Sequence, residues 1–322
     1  MPTLLGVTLI TFLISRVIVP DPARTWAGFR ATPAAVAALA ARYHLNAPLY
    51  IQYFYYMGGL ITGHWGVSPT SGRPVLSQIS QYFPATVELA IAAIVITIIV
   101  GIPLGVVSAL HHNGKYDHGI RFLYLAGFSS PPFFVALVII LVFGYVLNIF
   151  PTQGELSSNL APPAHITGMY IVDSLLTGNW TDFVNSVWHI VMPATALALT
   201  VFGIVTRITR SSMLEVFQKD FVRASYAKGL AQRAVVYRHA LRNALIPTTT
   251  VLGLLLGALL SGTIVVESIF LWPGIGYFAL QSIENLDFPS IMGVTVLFTL
   301  SVVIANLLAD VLYAVLDPRI KI

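Results

Sequence analysis

The residues able to do chemistry in this chain are sparse and scattered. Two acids lie inside apolar stretches: Glu88, and Asp310 with Asn306 shortly before it. Charge in hydrocarbon is expensive, so such an acid marks a solute path or a proton relay, unless it is a structural partner. Both acids lie near the ends of their stretches, which favours the structural reading. The run HHNGKYDH at 111–118 gathers His111, His112, Asp117 and His118. Their spacing fits no strong ligand pattern, so a solvated turn is the simpler reading and no metal is expected. The WPGIG turn places Trp272, Pro273 and Gly274 either in a re-entrant gate element or in a tight interfacial turn anchored by Trp272 and Tyr277. Nucleotide chemistry lacks its phosphate loop. Gly114-Lys115 is followed by Tyr116, and Ala109 stands where the first Gly of that loop belongs. Hydrolysis lacks its groups as well: there is no HExxH pair, Ser129 and Ser130 run into Pro131, and Cys is absent. No catalytic residue is expected.

A further candidate is a segment suited to contact rather than catalysis. Asp220 to Leu230 reads DFVRASYAKGL. Asp220 suits an N-cap and Gly229 the left-handed position after a helix, which predicts a helix over 221–228, too short to be stable alone in water. Phe221 and Val222 sit with Arg223, the small residues Ala224, Ser225 and Ala227, then Lys228, Gly229 and Leu230. One reading is a solvated loop whose charge only sets topology. The other is a docking element, since small residues allow close approach and an aromatic anchor flanked by cations matches interface composition. A second amphipathic run, QRAVVYRHALRNALIP, follows and is expected to end at Pro247.

What must position these residues follows from composition. The chain has 322 residues, of which 57% are hydrophobic and 9% charged, with mean hydropathy +0.82. An average soluble domain has about 25% charged residues; 17 basic and 13 acidic side chains cannot coat a globule of this length. The chain is therefore read as an all-α integral membrane protein. Its pI near 9.3 reflects a surplus of four charges and implies no nucleic acid.

A membrane span needs about 20 mostly apolar residues. Six segments qualify: 3–20, 84–110, 122–149, 187–206, 246–267 and 290–315. Pro103 and the pair Pro131 and Pro132 interrupt them in a way that membrane bundles tolerate. With Arg16 inside it and no basic region before it, the first segment is read as a span rather than a cleaved signal. Arg207, Arg210, Lys219, Arg223, Lys228, Arg233, Arg238 and Arg242 share one connection; Lys115, Arg121, Arg319 and Lys321 lie on the same side. The connections 150–186 and 268–289 hold no Lys or Arg, so both termini are expected in the cytoplasm. The outer segment 21–83 keeps four Arg and is expected to hold two short helices, one Ala-rich and one aromatic, before a turn-rich return. Gly253, Gly257 and Ser261 recur every four residues, for core packing or for a seam with another permease.

Asp220 to Leu230 resembles the coupling region of permease subunits of ABC importers, specifically the oligopeptide/dipeptide/nickel permease family. So do stretches along the whole chain: MPTLLGVTLITFLISRVIVPDPA, LNAPLYIQYFYYMGGLITGHWG, GRPVLSQISQYFPATVELA, VVESIFLWPGIGYFALQSI and LLADVLYAVLDPRIKI. The resemblance implies a type I importer permease: one transmembrane domain over 1–322, with a cytoplasmic coupling region at 213–246. It implies a second homologous permease, two ABC ATPase subunits that bind ATP and Mg in place of any cofactor in this chain, and an extracytoplasmic solute-binding protein. The setting is the prokaryotic inner or plasma membrane, and the solute a di- or oligopeptide, with oligosaccharides or nickel complexes as alternatives. A stand-alone ion-coupled transporter or channel is the rival class. Two departures stand out. Arg223, Ala224 and Ser225 occupy the place of the wider family's Glu-Ala-Ala, so that Glu's role does not transfer. The spacing from Gly229 to Pro247 is longer than the wider family's. Relatives also have a short basic start, expected here before Met1.

Overall fold

A computed structural model describes residues 2–19, 21–28 and 31–316. Those residues are helical apart from their connections and one isolated antiparallel bridge between Val67 and Pro74. Helix α1 (Pro2–Leu13) continues as a wider π turn, Ile14–Ile18. Three short helices follow: α2 (Pro22–Ala27), α3 (Pro33–Arg42) and α4 (Leu49–Ile61). The Ala-rich and aromatic stretches form α3 and α4 as expected. Helix α2 was not foreseen, although Asp21 and Pro22 form a good start for it: the Asp21 side chain accepts from Arg24 N at 3.0 Å.

Among the described residues, four helices are long and apolar enough to cross a membrane: α5 (Val75–Leu110), α9 (Trp180–Phe217), the continuous helix Gln232–Gly262, and Phe288–Leu308 within α15 (Phe288–Leu316). Helix α5 begins at Val75, well before the expected 84, and α9 overruns both expected bounds. At about 1.5 Å per residue, their 36 and 38 residues exceed a hydrocarbon core of roughly 30 Å. The expected third span is instead a broken pair, Lys115–Ser129 (α6) and Pro132–Val146 (α7, Pro132–Ile139, with its π continuation), bent by 106°. Pro131 is extended, and Pro132 starts α7 where a missing amide costs nothing. The Pro pair interrupts the segment as expected, and the interruption takes the form of a sharp bend between two helices. The first apolar helix, Thr3–Ile18, is shorter than the others.

The run after Gly229 does not stop at Pro247. It forms α11 (Gln232–Ala234), a π stretch Val235–Ala240 and α12 (Leu241–Gly262) as one helix, with Pro247 inside it. Then come α13 (Ile264–Ile269), the WPGIG turn and α14 (Ile275–Glu284). Helix α8 (Tyr170–Leu176) precedes α9, and α10 (Asp220–Ala227) follows it.

The centre is the long contact between α5 and α9. Leu89, Ala90 and Ala93 pack with Ile190, Ala194 and Leu197, joined by Phe270 and Trp272. In lipid, helix association depends on close packing more than on water exclusion. A Cβ at Gly105 would come within 2.6 Å of Thr209 Cβ, and one at Gly203 within 2.9 Å of the Tyr124 carbonyl. One at Gly257 would meet Ala305 Cβ at 2.5 Å, so this member of the small-residue series packs against α15 of its own chain.

Candidate functional site

Helix α10 runs Asp220–Ala227, one residue earlier than expected, and Lys219 occupies the cap position without a side-chain cap bond. The correction has a simple cause: the Lys219 carbonyl already accepts from Val222 N at 3.1 Å, which leaves Asp220 in the first turn. Its carboxylate there still complements the helix dipole. The far end forms as expected. Gly229, at φ +76°, donates to the Tyr226 carbonyl at 2.9 Å, and Leu230 N donates to that of Ser225 at 3.3 Å. This pair of bonds is a Schellman closure.

One side chain seats the helix. Val222 is 1% exposed and packs into a cluster with Val106, Ala109, Met213, Val216, Val235 and Val236. Asp220, Phe221, Arg223, Ala224, Ala227, Lys228, Gly229 and Leu230 are exposed, and Ser225 is half-buried with its hydroxyl on the Phe221 carbonyl at 2.8 Å. Tyr226 is also exposed, adding a second aromatic ring that the sequence reading did not single out. The only ion pair on α10 itself among the described residues, Arg223 with Asp220 at 3.9 Å, is solvent-exposed and adds little stability. An eight-residue helix held by one valine presents nearly all of its surface outward.

Behind α10 lies a clamp. The fully buried Asp117 accepts from Arg210 Nε at 2.7 Å and Nη2 at 2.6 Å, from Ser108 Oγ at 2.5 Å and from Asn113 N at 2.9 Å. The Arg210 hydrogen bonds hold the carboxyl well below the usual carboxylate range, aided by Ser108 and Asn113 against the opposing effect of burial. The HHNGKYDH run is thus a turn followed by the first residues of α6, locked to α5 and α9 through Asp117. Among the described residues, no group of His, Asp or Glu is placed to hold a metal.

The other pathway candidates fall at the opposite end of the bundle or apart from it. Trp272 is 1% exposed, and its indole donates to the Ala85 carbonyl at 3.0 Å, so it is a core residue and not an interfacial anchor. Pro273 leads into Gly274, which has no room for a Cβ beside the Glu267 carboxylate. Glu88 is buried, one oxygen accepting from Ile171 N at 2.8 Å and the other unpartnered. The structure therefore brings Glu88, Trp272 and Gly274 to one stretch of α5, residues 85–88. Asn306 is exposed on α15, far along the chain from them, and the Asp310 side chain lies outside the described residues.

At that stretch the organising group is Glu267, which the sequence reading noted only as a span end. It accepts from Thr86 Oγ1 and Thr263 Oγ1, each at 2.7 Å, from Gly276 N at 2.7 Å and from Tyr277 N at 3.0 Å. It caps α14 and fixes the WPGIG turn to α5. A clue lay in the sequence: a lone acid closing an apolar run, with Thr263 four residues before it. Glu155, in the connection before α8, is also buried and has an unpartnered oxygen. Burial pushes its carboxyl up to about 9, reinforced by the nearby charges of Glu88 and Glu267.

Comparison with known proteins settles what kind of bundle this is. Residues 101–322 match the family described as binding-protein-dependent transport system inner membrane component, and residues 1–90 match the N-terminal region of such membrane components. The chain belongs to this family. It is an ABC importer permease, a multi-pass protein of the bacterial inner membrane. Over 315 residues it is 44% identical to the probable D,D-dipeptide transport system permease protein DdpB of Escherichia coli K12, spanning 98% of this chain and 93% of that one. It is 41% identical to the dipeptide transport system permease protein DppB of Alkalihalophilus pseudofirmus, spanning 99% and 96%. To DppB of Escherichia coli K12 it is 37% identical, spanning 99% and 95%. Permeases of this kind work with ATPase and substrate-binding partners.

Proposed function

We propose that this permease passes di- or oligopeptides, pairing with a second, homologous permease to enclose one pathway, and that α10 is the element on which an ATPase subunit docks. The observation that carries the docking assignment is the exposure of α10 around its single buried anchor, Val222. A short helix closed at both ends can enter a cleft as a rigid body and transmit motion to α9 and Gln232–Gly262 on either side. Peptides are the preferred solute because the relatives compared above are named for dipeptides.

In this reading the chain crosses the membrane six times, the bent α6–α7 pair and the shorter α1 each counting once, with α10 and both termini in the cytoplasm. The clustering of Lys and Arg in the α10 connection supports that orientation. ATP and Mg are bound by the two partner ATPases, and a binding protein delivers peptide to the opposite face. Reconstitution in proteoliposomes tests this. Peptide uptake should require the second permease, the ATPases and the binding protein together; uptake by this chain alone would identify an ion-coupled transporter or channel instead.

A further inference from the structure

The outer segment 21–83 carries four Arg and is long enough that the charge rule for short loops bears only weakly on it. One of them, Arg42, lines with Arg16 a cavity of about 390 Å³ between α1, α2, α3, α4 and the start of α15. Arg16, Arg42, His44 and His64 line it, and among the described residues no carboxylate does.

Among the described residues, two of its side chains carry donors that nothing answers. Arg16 Nε and Nη1 are buried without a hydrogen-bond partner. The guanidinium lies 4.0 Å from the Trp26 ring centre and 5.8 Å from that of Phe12, and these contacts orient it without neutralising it. Trp26 is 2% exposed, yet its indole N–H also has no acceptor, although buried indoles ordinarily find one. An uncompensated buried cation beside an unused donor is costly. A planar guanidinium fork with a second N–H beside it suits a tetrahedral oxyanion.

The surroundings point to the source of that oxyanion. Leu13, Ile14, Val17 and Ile18, on the same helix as the cavity-lining Arg16, are between 40% and 71% exposed and form an apolar strip open to acyl chains. Acyl chains can lie on this strip while a headgroup enters among the aromatic residues, at the depth where Tyr and Trp gather in membrane proteins. We propose that this cavity binds a phosphate oxyanion, and that the phosphate belongs to the headgroup of an anionic phospholipid.

The test uses the whole importer purified with its partner subunits, carrying wild-type chain, Arg16→Gln or Trp26→Phe. Each is titrated with phosphatidylglycerol, phosphatidylcholine or inorganic phosphate, and bound lipid is read by native mass spectrometry and thermal shift. Phosphatidylglycerol should bind the wild type in preference to phosphatidylcholine, and each substitution should weaken it about tenfold, the scale of one charge-assisted hydrogen bond. Trp26→Phe keeps an aromatic side chain while removing the pyrrole ring that carries the N–H, so it carries the test if Arg16→Gln fails to fold. Unchanged phosphatidylglycerol affinity in the folded variants would overturn the proposal. Equal protection by inorganic phosphate, lost in the same variants, would overturn the lipid as source.

Discussion

Arg210 holds Asp117 through two parallel hydrogen bonds, 2.7 Å from Nε and 2.6 Å from Nη2, and the carboxylate they grip is fully buried. The pair joins the start of α6 to the part of α9 that leads into α10. Removing either partner strands the other, so Asp117→Asn or Arg210→Ala should cost about 3 kcal/mol of stability, the scale of a broken buried pair. Thermal unfolding of each single variant and of the double variant measures it; the double should cost less than the sum of the singles.

The same carboxylate sets a dependence on pH. Its folded pKa is depressed below the ordinary 3.8, so its stabilisation is fully present above that value and is lost as pH falls below it. Stability of the wild type should therefore drop on acidification below about pH 4 more steeply than that of Asp117→Asn. Parallel slopes in the two melting series would refute the assignment.

Glu155 gives the opposite sign. Its folded pKa is raised to about 9 from 4.5, so the folded state holds a proton that the unfolded chain releases. Its contribution favours folding most at low pH and weakens as pH rises from 4.5 toward 9. Glu155→Gln should flatten that slope and leave the protein at least as stable at neutral pH. Melting temperatures across this range decide it.

Glu267 answers four donors at once, from Thr86, Thr263, Gly276 and Tyr277. Glu267→Ala should leave them unmet and cost about 3 kcal/mol or more, with Glu267→Gln milder because one carbonyl oxygen remains. Proteolysis within the WPGIG turn should rise in the Ala variant, reporting release of that turn from α5.

Gly229→Pro is incompatible with φ +76° and removes the N–H that closes α10 on Tyr226. Ala224→Trp adds bulk to an exposed small site. Both should abolish peptide uptake in proteoliposomes while the helical content of the chain stays at the wild-type level. Uptake at the wild-type rate, with normal stimulation of ATP hydrolysis, would remove α10 from the coupling role.

What the sequence disclosed was local. Gly229, the Ala-rich α3 and the aromatic α4 follow from neighbouring residues, and each formed close to its expected place. Pro131 and Pro132 were visible too, but whether a Pro pair bends a span or ends it depends on what packs against it. Contacts made across the bundle were not legible. Thr86 meets Glu267 across 181 positions, and Asp117 meets Arg210 across 93, so neither polar hub shows in any window of sequence. Trp272 misled for the same reason. An aromatic residue near a span end reads as an interfacial anchor until the Ala85 carbonyl is found opposite its indole.

Helices α5 and α9 outrun the bilayer, and this gives them leverage. A rod of 36 residues is about 54 Å long, and a rotation of about five degrees about one end carries the other by roughly 5 Å. The Glu267 network grips α5 near one end, and the Asp117 clamp ties it to α9 near the other. A push of a few ångströms on α10 can therefore arrive at the far face as a displacement of similar size, carried by two long beams whose interior prolines, Pro103 in α5 and Pro193 in α9, are the points where they can bend.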